Sequence, residues 1–283
     1  MTAILEVYDV ATGKTRHILS TYRQIEAPNR YPDGSGLLVI ADGRLWQVPF
    51  RTPKLVEVPT GAAIRCNNDH AISPDGTQIA LSSHHGEKGS EIYLVPLEGG
   101  DPVLVSLAPP SWFHGWSPDG KWLTYPATRD ATRVLDIYKL NLATGRETRL
   151  TQGQGHHDGS DFSADGSAIY YNCDRDGHAQ IWVMQADGTG QRKLFADDQV
   201  NWFPHPSPCG QHLIYLAYPP GTKGHPRDLA VALVLCNPDG SNRRRILEFT
   251  GGQGTMNVPN WAPDGSAFAY VRYAPASENP QNS

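Results

Sequence analysis

One short turn motif recurs six times along the chain and restricts the fold more than any other feature. Its copies are Tyr31-Pro32-Asp33-Gly34, Ser73-Pro74-Asp75-Gly76, Ser117-Pro118-Asp119-Gly120, Ser163-Ala164-Asp165-Gly166, Ser207-Pro208-Cys209-Gly210 and Ala262-Pro263-Asp264-Gly265. The third residues stand at 33, 75, 119, 165, 209 and 264, so the steps are 42, 44, 46, 44 and 55. A four-stranded propeller blade gives a period in this range with turn chemistry at the repeated place. Six blades of about 45 residues use the whole length. The expectation is an all-β chain: a six-bladed β-propeller of four-stranded blades, forming one domain over residues 1–283.

Each copy reads as the hairpin between the first two strands of a blade, a and b. Proline presets φ at the second turn position, and glycine at the fourth accepts a left-handed conformation. Four residues past the third turn position lie Leu37, Ile79, Leu123, Ile169, Leu213 and Phe268, and six past it lie Val39, Leu81, Tyr125, Tyr171, Tyr215 and Tyr270. That apolar spacing of two is a strand signal. A third strand, c, follows in Ile92-Tyr93-Leu94-Val95, Ile137-Tyr138-Lys139-Leu140 and Ile181-Trp182-Val183-Met184, with looser versions at Leu45-Trp46-Gln47-Val48 and Val231-Ala232-Leu233-Val234. Glycine turns then lead to a short strand d, such as Pro102-Val103-Leu104-Val105.

The last copy has strands a and b only, and a polar tail over residues 274–283, expected to be flexible, follows it. The missing strands are found at the other end of the chain. Asp9-Val10-Ala11-Thr12-Gly13-Lys14 parallels Asn141-Leu142-Ala143-Thr144-Gly145-Arg146, the c–d turn of a complete blade. Residues 1–20 are therefore expected to complete the sixth blade, which removes the open edges of an unclosed ring.

Composition excludes several classes of function. A net charge of −5 provides no field for nucleic acid, and Arg243-Arg244-Arg245 reads as a solvated hairpin. Cys66, Cys173, Cys209 and Cys236 are scattered without a C-x-x-C pair, which fits a reducing compartment. No apolar run is long enough to span a membrane. The N-terminus lacks a basic start and a long apolar core, so the chain is expected in the cytoplasm, or in the periplasm if a leader has been removed.

The segment from Asn172-Cys173-Asp174-Arg175-Asp176-Gly177 to Ile181-Trp182-Val183-Met184 resembles the repeat of TolB-type propellers, as does Thr148-Arg149-Leu150-Thr151 leading into Phe162-Ser163-Ala164-Asp165-Gly166. The resemblance extends over nearly the whole chain and covers the propeller half of TolB, without its N-terminal α/β domain. Similar propellers occur in prolyl-oligopeptidase-like peptidases and in pectin-degrading lyases. The peptidases rely on a G-x-S-x-G elbow, and Gly115-Trp116-Ser117-Pro118-Asp119 departs from it at the last position, so serine peptidase activity is not expected. The lyases imply a metal held by histidines near the axis.

In a blade running a-b-c-d, the Pro-Asp-Gly turns crowd one face, where each Asp is expected to bond its own turn. The opposite face collects the starts of strand a and the b–c loops. Nine of the eleven histidines fall there, all but His17 and His212. Glu26, Asn68, Trp112, His114, His157, Asp158, Trp202, His205 and Asn257 are the expected ligand-binding residues of a polar funnel. Trp112 and Trp202 are placed to stack on a sugar or peptide ring. His114, His156, His157 and His205 are the candidate ligands for a divalent metal. Asn172-x-Asp174-x-Asp176-Gly177 begins like a calcium loop but has Val183 where the bidentate Glu belongs. The resulting expectation is a binding or scaffold module that takes a peptide, a protein loop or a carbohydrate and requires no cofactor. The alternative is a metal-assisted lyase or hydrolase of acidic oligosaccharides, with Arg129, Arg133 or Arg175 pairing substrate carboxylates.

Overall fold

The computed structural model describes residues 1–130, 134–153 and 155–275. Among them there is no α-helix, and the strands form six antiparallel sheets around an axis. Blade 1 runs Ile25–Arg30, Gly36–Ala41, Arg44–Pro49 and Val56–Val58. Blade 2 runs Cys66–Ile72, Gln78–His84, Ser90–Pro96 and Val103–Leu104. Blade 3 is Gly115–Trp116, Trp122–Ala127, Asp136–Asn141 and Glu147–Arg149, and blade 4 is His157–Phe162, Ala168–Cys173, Gln180–Gln185 and Arg192–Lys193. Blade 5 is Val200–Pro206, Leu213–Tyr218, Leu229–Cys236 and Arg244–Gly251.

Both ends of the chain build the sixth blade. Ala267–Ala274 pairs along its whole length with Thr2–Asp9, from Thr2 opposite Ala274 to Asp9 opposite Ala267. Thr15–Thr21 then adds the outer strand. The inner strand of this blade is reduced to a bridge between Trp261 and Phe268. The expected closure is therefore present, with the N-terminal segment supplying strands c and d. Of the expected tail, Ala274 belongs to a strand, and residues 276–283 lie outside the described residues.

The six turns show why the motif repeats. Glycines 34, 76, 120, 166, 210 and 265 have φ between 68° and 74°, a region that side chains with a Cβ avoid. Each turn Asp folds onto its own hairpin: Asp33, Asp75, Asp119, Asp165 and Asp264 accept the backbone N–H two residues on, at 2.9–3.1 Å. Serine hydroxyls of the same turns, and after them these backbone bonds, hold the carboxyls below their ordinary range, so the ring of acids serves the turns.

Packing occurs between blades. Six apolar clusters correspond to the six blade interfaces, and each draws on two neighbouring sheets. The twelve strand-b residues singled out by spacing are all buried. Burying each such side chain contributes about 1.5–3 kcal/mol. Strand b is buried on both faces, as in Gly36–Ala41 and Leu213–Tyr218, because a sheet stands on either side of it. The residues between the predicted apolar positions, such as Leu38 and Ile214, are therefore core as well.

Candidate functional site

The residue seven places before the third turn position is Glu26, Asn68, Trp112, Asp158, Trp202 and Asn257 in the six blades. These form one ring where strand a begins, on the face away from the Pro-Asp-Gly turns. In three blades the next residue is left-handed: Ala27 at φ 53°, Gly159 at 58° and Phe203 at 55°. The ladder of strand a shifts register at these places. Each is a β-bulge, which re-aims the ring side chain and its neighbours. Phe203 bears the steric cost of a positive φ, and Asn172 clamps it. The Asn172 amide donates to the Asn201 carbonyl (2.6 Å), while its oxygen accepts the Phe203 N–H (2.9 Å).

The ring surrounds a cavity of about 330 Å³. Blade 2 contributes Asn67, Asn68, Asp69 and His84, and blade 3 contributes Trp112, His114 and Pro126, with Leu135 beside them. His156 and Asp158 come from blade 4, Phe203 and His225 from blade 5, and Gln253 and Asn257 from the approach to blade 6. Of the nine expected ligand-binding residues, Asn68, Trp112, His114, Asp158 and Asn257 line it. Glu26 stands beside it, ion-paired with Arg227 and accepting the Asn68 amide at 3.1 Å. Trp202 is buried behind the wall, edge-on to His225 at 4.5 Å and to His156 at 6.2 Å between ring centroids. Trp202 therefore braces the imidazoles instead of presenting a stacking face.

His157 and His205 lie elsewhere. His157 is buried between blades 3 and 4, with Nδ1 3.2 Å from Asp136 and 3.2 Å from the Leu135 carbonyl. His205 is buried between blades 4 and 5, with Nδ1 3.0 Å from Asp161 and Nε2 2.9 Å from the Met256 carbonyl. The four histidines expected as metal ligands are thus split, and only His114 and His156 reach the cavity. Among the described residues, no group of three or more His, Cys, Asp or Glu side chains is arranged to hold a metal ion. Eight cavity residues are absent from the expected ligand and metal sets: Asn67, Asp69, His84, Pro126, Leu135, Phe203, His225 and Gln253, although His84 and His225 were expected on this face.

Asp158 is the electrostatic centre. Its Oδ1 accepts the Gly159 N–H at 2.8 Å and lies 3.0 Å from His114 Nε2. Its Oδ2 faces His156 Nε2 at 3.6 Å and His225 Nε2 at 3.7 Å. Burial alone would raise this carboxyl, but the surrounding imidazoles overcome it and hold the group well below the carboxylate range. Burial likewise works against charged His114 and His156, yet the Asp158 carboxylate leaves both above the ordinary histidine value. Asp69 behaves in the opposite way: burial pushes it up to about 6, opposed by His114 and assisted by the like charge of Asp158. Beside Asp69, buried His70 has neither ring nitrogen partnered, and burial lowers it to about 4.

The opposite face holds a second hollow of about 380 Å³, walled by turn prolines with Trp116 and Trp261. Arg30 and Asp161 are the ionisable residues that line it, against Asp69, Asp158 and four histidines in the funnel cavity.

Comparison with known proteins fits this geometry. The model of the TolB β-propeller domain matches residues 69–228. The chain belongs to that family. An uncharacterised protein of Agrobacterium fabrum is 45% identical over 276 residues, covering 97% of this chain and 94% of its own length. A solved Agrobacterium tumefaciens structure assigned to TolB superposes with a TM-score of 0.95 at 44% identity, over 98% of this chain and 99% of that one. The Tol-Pal system protein TolB of Anaeromyxobacter dehalogenans is 30% identical over 129 residues, 45% of this chain and 29% of the relative. An oligogalacturonate lyase solved with manganese shares the fold, at a TM-score of 0.57 and 17% identity over 98% of this chain and 79% of that one. Among the described residues of this TolB-like propeller, no helix is long and apolar enough to cross a membrane.

Proposed function

We propose that this propeller is a binding module that captures a peptide, a protein loop or a carbohydrate in the funnel on the face opposite the Pro-Asp-Gly turns. The observation that carries this reading is the ring itself. All six blades send the equivalent residue to one place, and four of the six line a preformed cavity held by backbone ladders on every side. Concave sites with a few convergent polar groups are where small ligands and side chains bind. Four cysteines without a disulfide fit work in a reducing compartment.

The lyase reading has less support. It needs cationic groups free to meet substrate carboxylates, and among the described residues no Lys or Arg lines the cavity. Arg129 is tied to Glu147 at 2.7 Å, and Arg175 lies over the Trp182 ring at 4.2 Å. Arg133 is outside the described residues.

Thermal melts against panels of peptides and neutral or acidic oligosaccharides test the proposal. A true ligand raises Tm with its concentration, by about 2.7 kcal/mol of stability at a hundredfold excess over Kd. The shift is expected to vanish in the Asn68→Ala/Trp112→Ala double variant. A shift that survives that change would place the site elsewhere. A stoichiometric divalent metal lost in His156→Ala would instead favour metal-assisted chemistry.

A further inference from the structure

We infer that the funnel selects a cation, specifically the ammonium or guanidinium of a lysine or arginine side chain presented by a peptide or protein loop. This rests on the binding reading above and narrows it to one ligand chemistry.

Charge is the first support. Asp69 and Asp158 line the cavity, and among the described residues no Lys or Arg does. The nearby Arg227 is occupied by its ion pair with Glu26. An anionic ligand would meet two buried carboxylates whose imidazole partners are already engaged, and among the described residues no Lys or Arg of the cavity could pair with it.

The second support is unused hydrogen-bonding capacity. The two oxygens of Asp158 are treated differently: Oδ1 has the Gly159 N–H at 2.8 Å and His114 at 3.0 Å, whereas Oδ2 has imidazoles only at 3.6 and 3.7 Å. Those separations exceed a hydrogen bond and leave a lone pair for a donor between the rings. A lysine ammonium has three N–H donors and arginine has five, and neither accepts.

The third support is the wall. Trp112 and Phe203 line the cavity beside the imidazoles of His156 and His225. Aromatic faces attract a cation, and more strongly once it is desolvated. The volume of about 330 Å³ admits one side chain with its flanking backbone outside, at the small end of ligand pockets, which run from about 300 to 1,000 Å³.

Titration of the full chain with capped Gly-Lys-Gly, Gly-Arg-Gly and Gly-norleucine-Gly, followed by Tm and by the Trp112 indole signal, tests the inference. A digalacturonate serves as the acidic probe. The lysine or arginine peptide is expected to shift both readouts with concentration, at least tenfold more tightly than norleucine or the acidic sugar. Asp158→Asn is expected to lose at least tenfold in affinity; Asp69→Asn is the second variant should that one fail to fold. Asp165→Asn, on the turn face, should bind as the parent does. Equal binding of norleucine, no response to either cationic peptide, or full affinity in a folded Asp158→Asn overturns the cation. If norleucine or the sugar binds and Trp112 responds, the funnel reading survives that loss. If binding leaves Trp112 unmoved, both fall.

Discussion

Two kinds of buried histidine–aspartate pair occur in this ring, and they differ in what is left over. His157–Asp136 and His205–Asp161 each join neighbouring blades, and their partners account for their polar atoms. Asp136 also takes Arg149 and the Thr151 hydroxyl, while His205 has an acceptor at each ring nitrogen. His114–Asp158 joins blades in the same way, yet among the described residues the second carboxylate oxygen meets imidazoles only at 3.6 and 3.7 Å, at the wall of a cavity. Saturated pairs act as staples between blades. The unsaturated pair stores unmet hydrogen-bonding capacity, which a ligand can satisfy.

Breaking a staple should have the largest effect. Asp136→Ala leaves His157 and Arg149 facing an empty partner, and denaturant unfolding is expected to show a loss of about 3–5 kcal/mol. A smaller loss would mean that the staple is not one. The second effect is on pH. Burial opposes charge on His157, but Asp136 and Cys173 raise its pKa to about 9. Its contribution is whole below the unfolded value near 6.5 and is lost as pH rises through 9. Tm should therefore fall between pH 6.5 and 9 in the parent and stay flatter in His157→Gln.

The unsaturated pair should respond in the reverse manner. Asp158→Asn is expected to cost about 1–2 kcal/mol of stability and most of the ligand-induced Tm shift. A stability loss equal to that of Asp136→Ala would erase the distinction. The smallest effect belongs to the turn face. Asp165→Ala removes a bond on an exposed hairpin and should change stability by about 0.5 kcal/mol, with ligand response intact.

The fold was legible because a left-handed turn position admits few residues, so Pro-Asp-Gly had to recur wherever a blade began. Closure was legible because Asp9–Lys14 repeats a c–d turn seen within blade 3. The site was only partly legible. His156 and His157 are neighbours on an extended segment, so one reaches the cavity and the other the blade interface, and nothing in their type tells which. The bulges at Gly159 and Phe203 alter which side chain faces inward, and that depends on a left-handed residue that a phenylalanine does not announce. The face of His225 was legible from its place in the long fifth b–c loop, but its reach into the cavity was not, because no periodicity tracks that loop. The equivalence of Glu26, Asn68, Trp112, Asp158, Trp202 and Asn257 at one offset from the turns was available from spacing alone. It singles out the ring and leaves out His157 and His205.

Because Thr2 pairs with Ala274, the first and last strands of the seam both open toward the funnel side, and the Tyr273 hydroxyl reaches the Ile25 carbonyl at that rim. A peptide splice between them would turn the barrel of blades into an endless hoop. New termini could then be cut at an exposed hairpin on the far side, where chain breaks are best tolerated. Such a permuted molecule would carry any fused tag away from the mouth, so that capture could be measured with the entrance unobstructed.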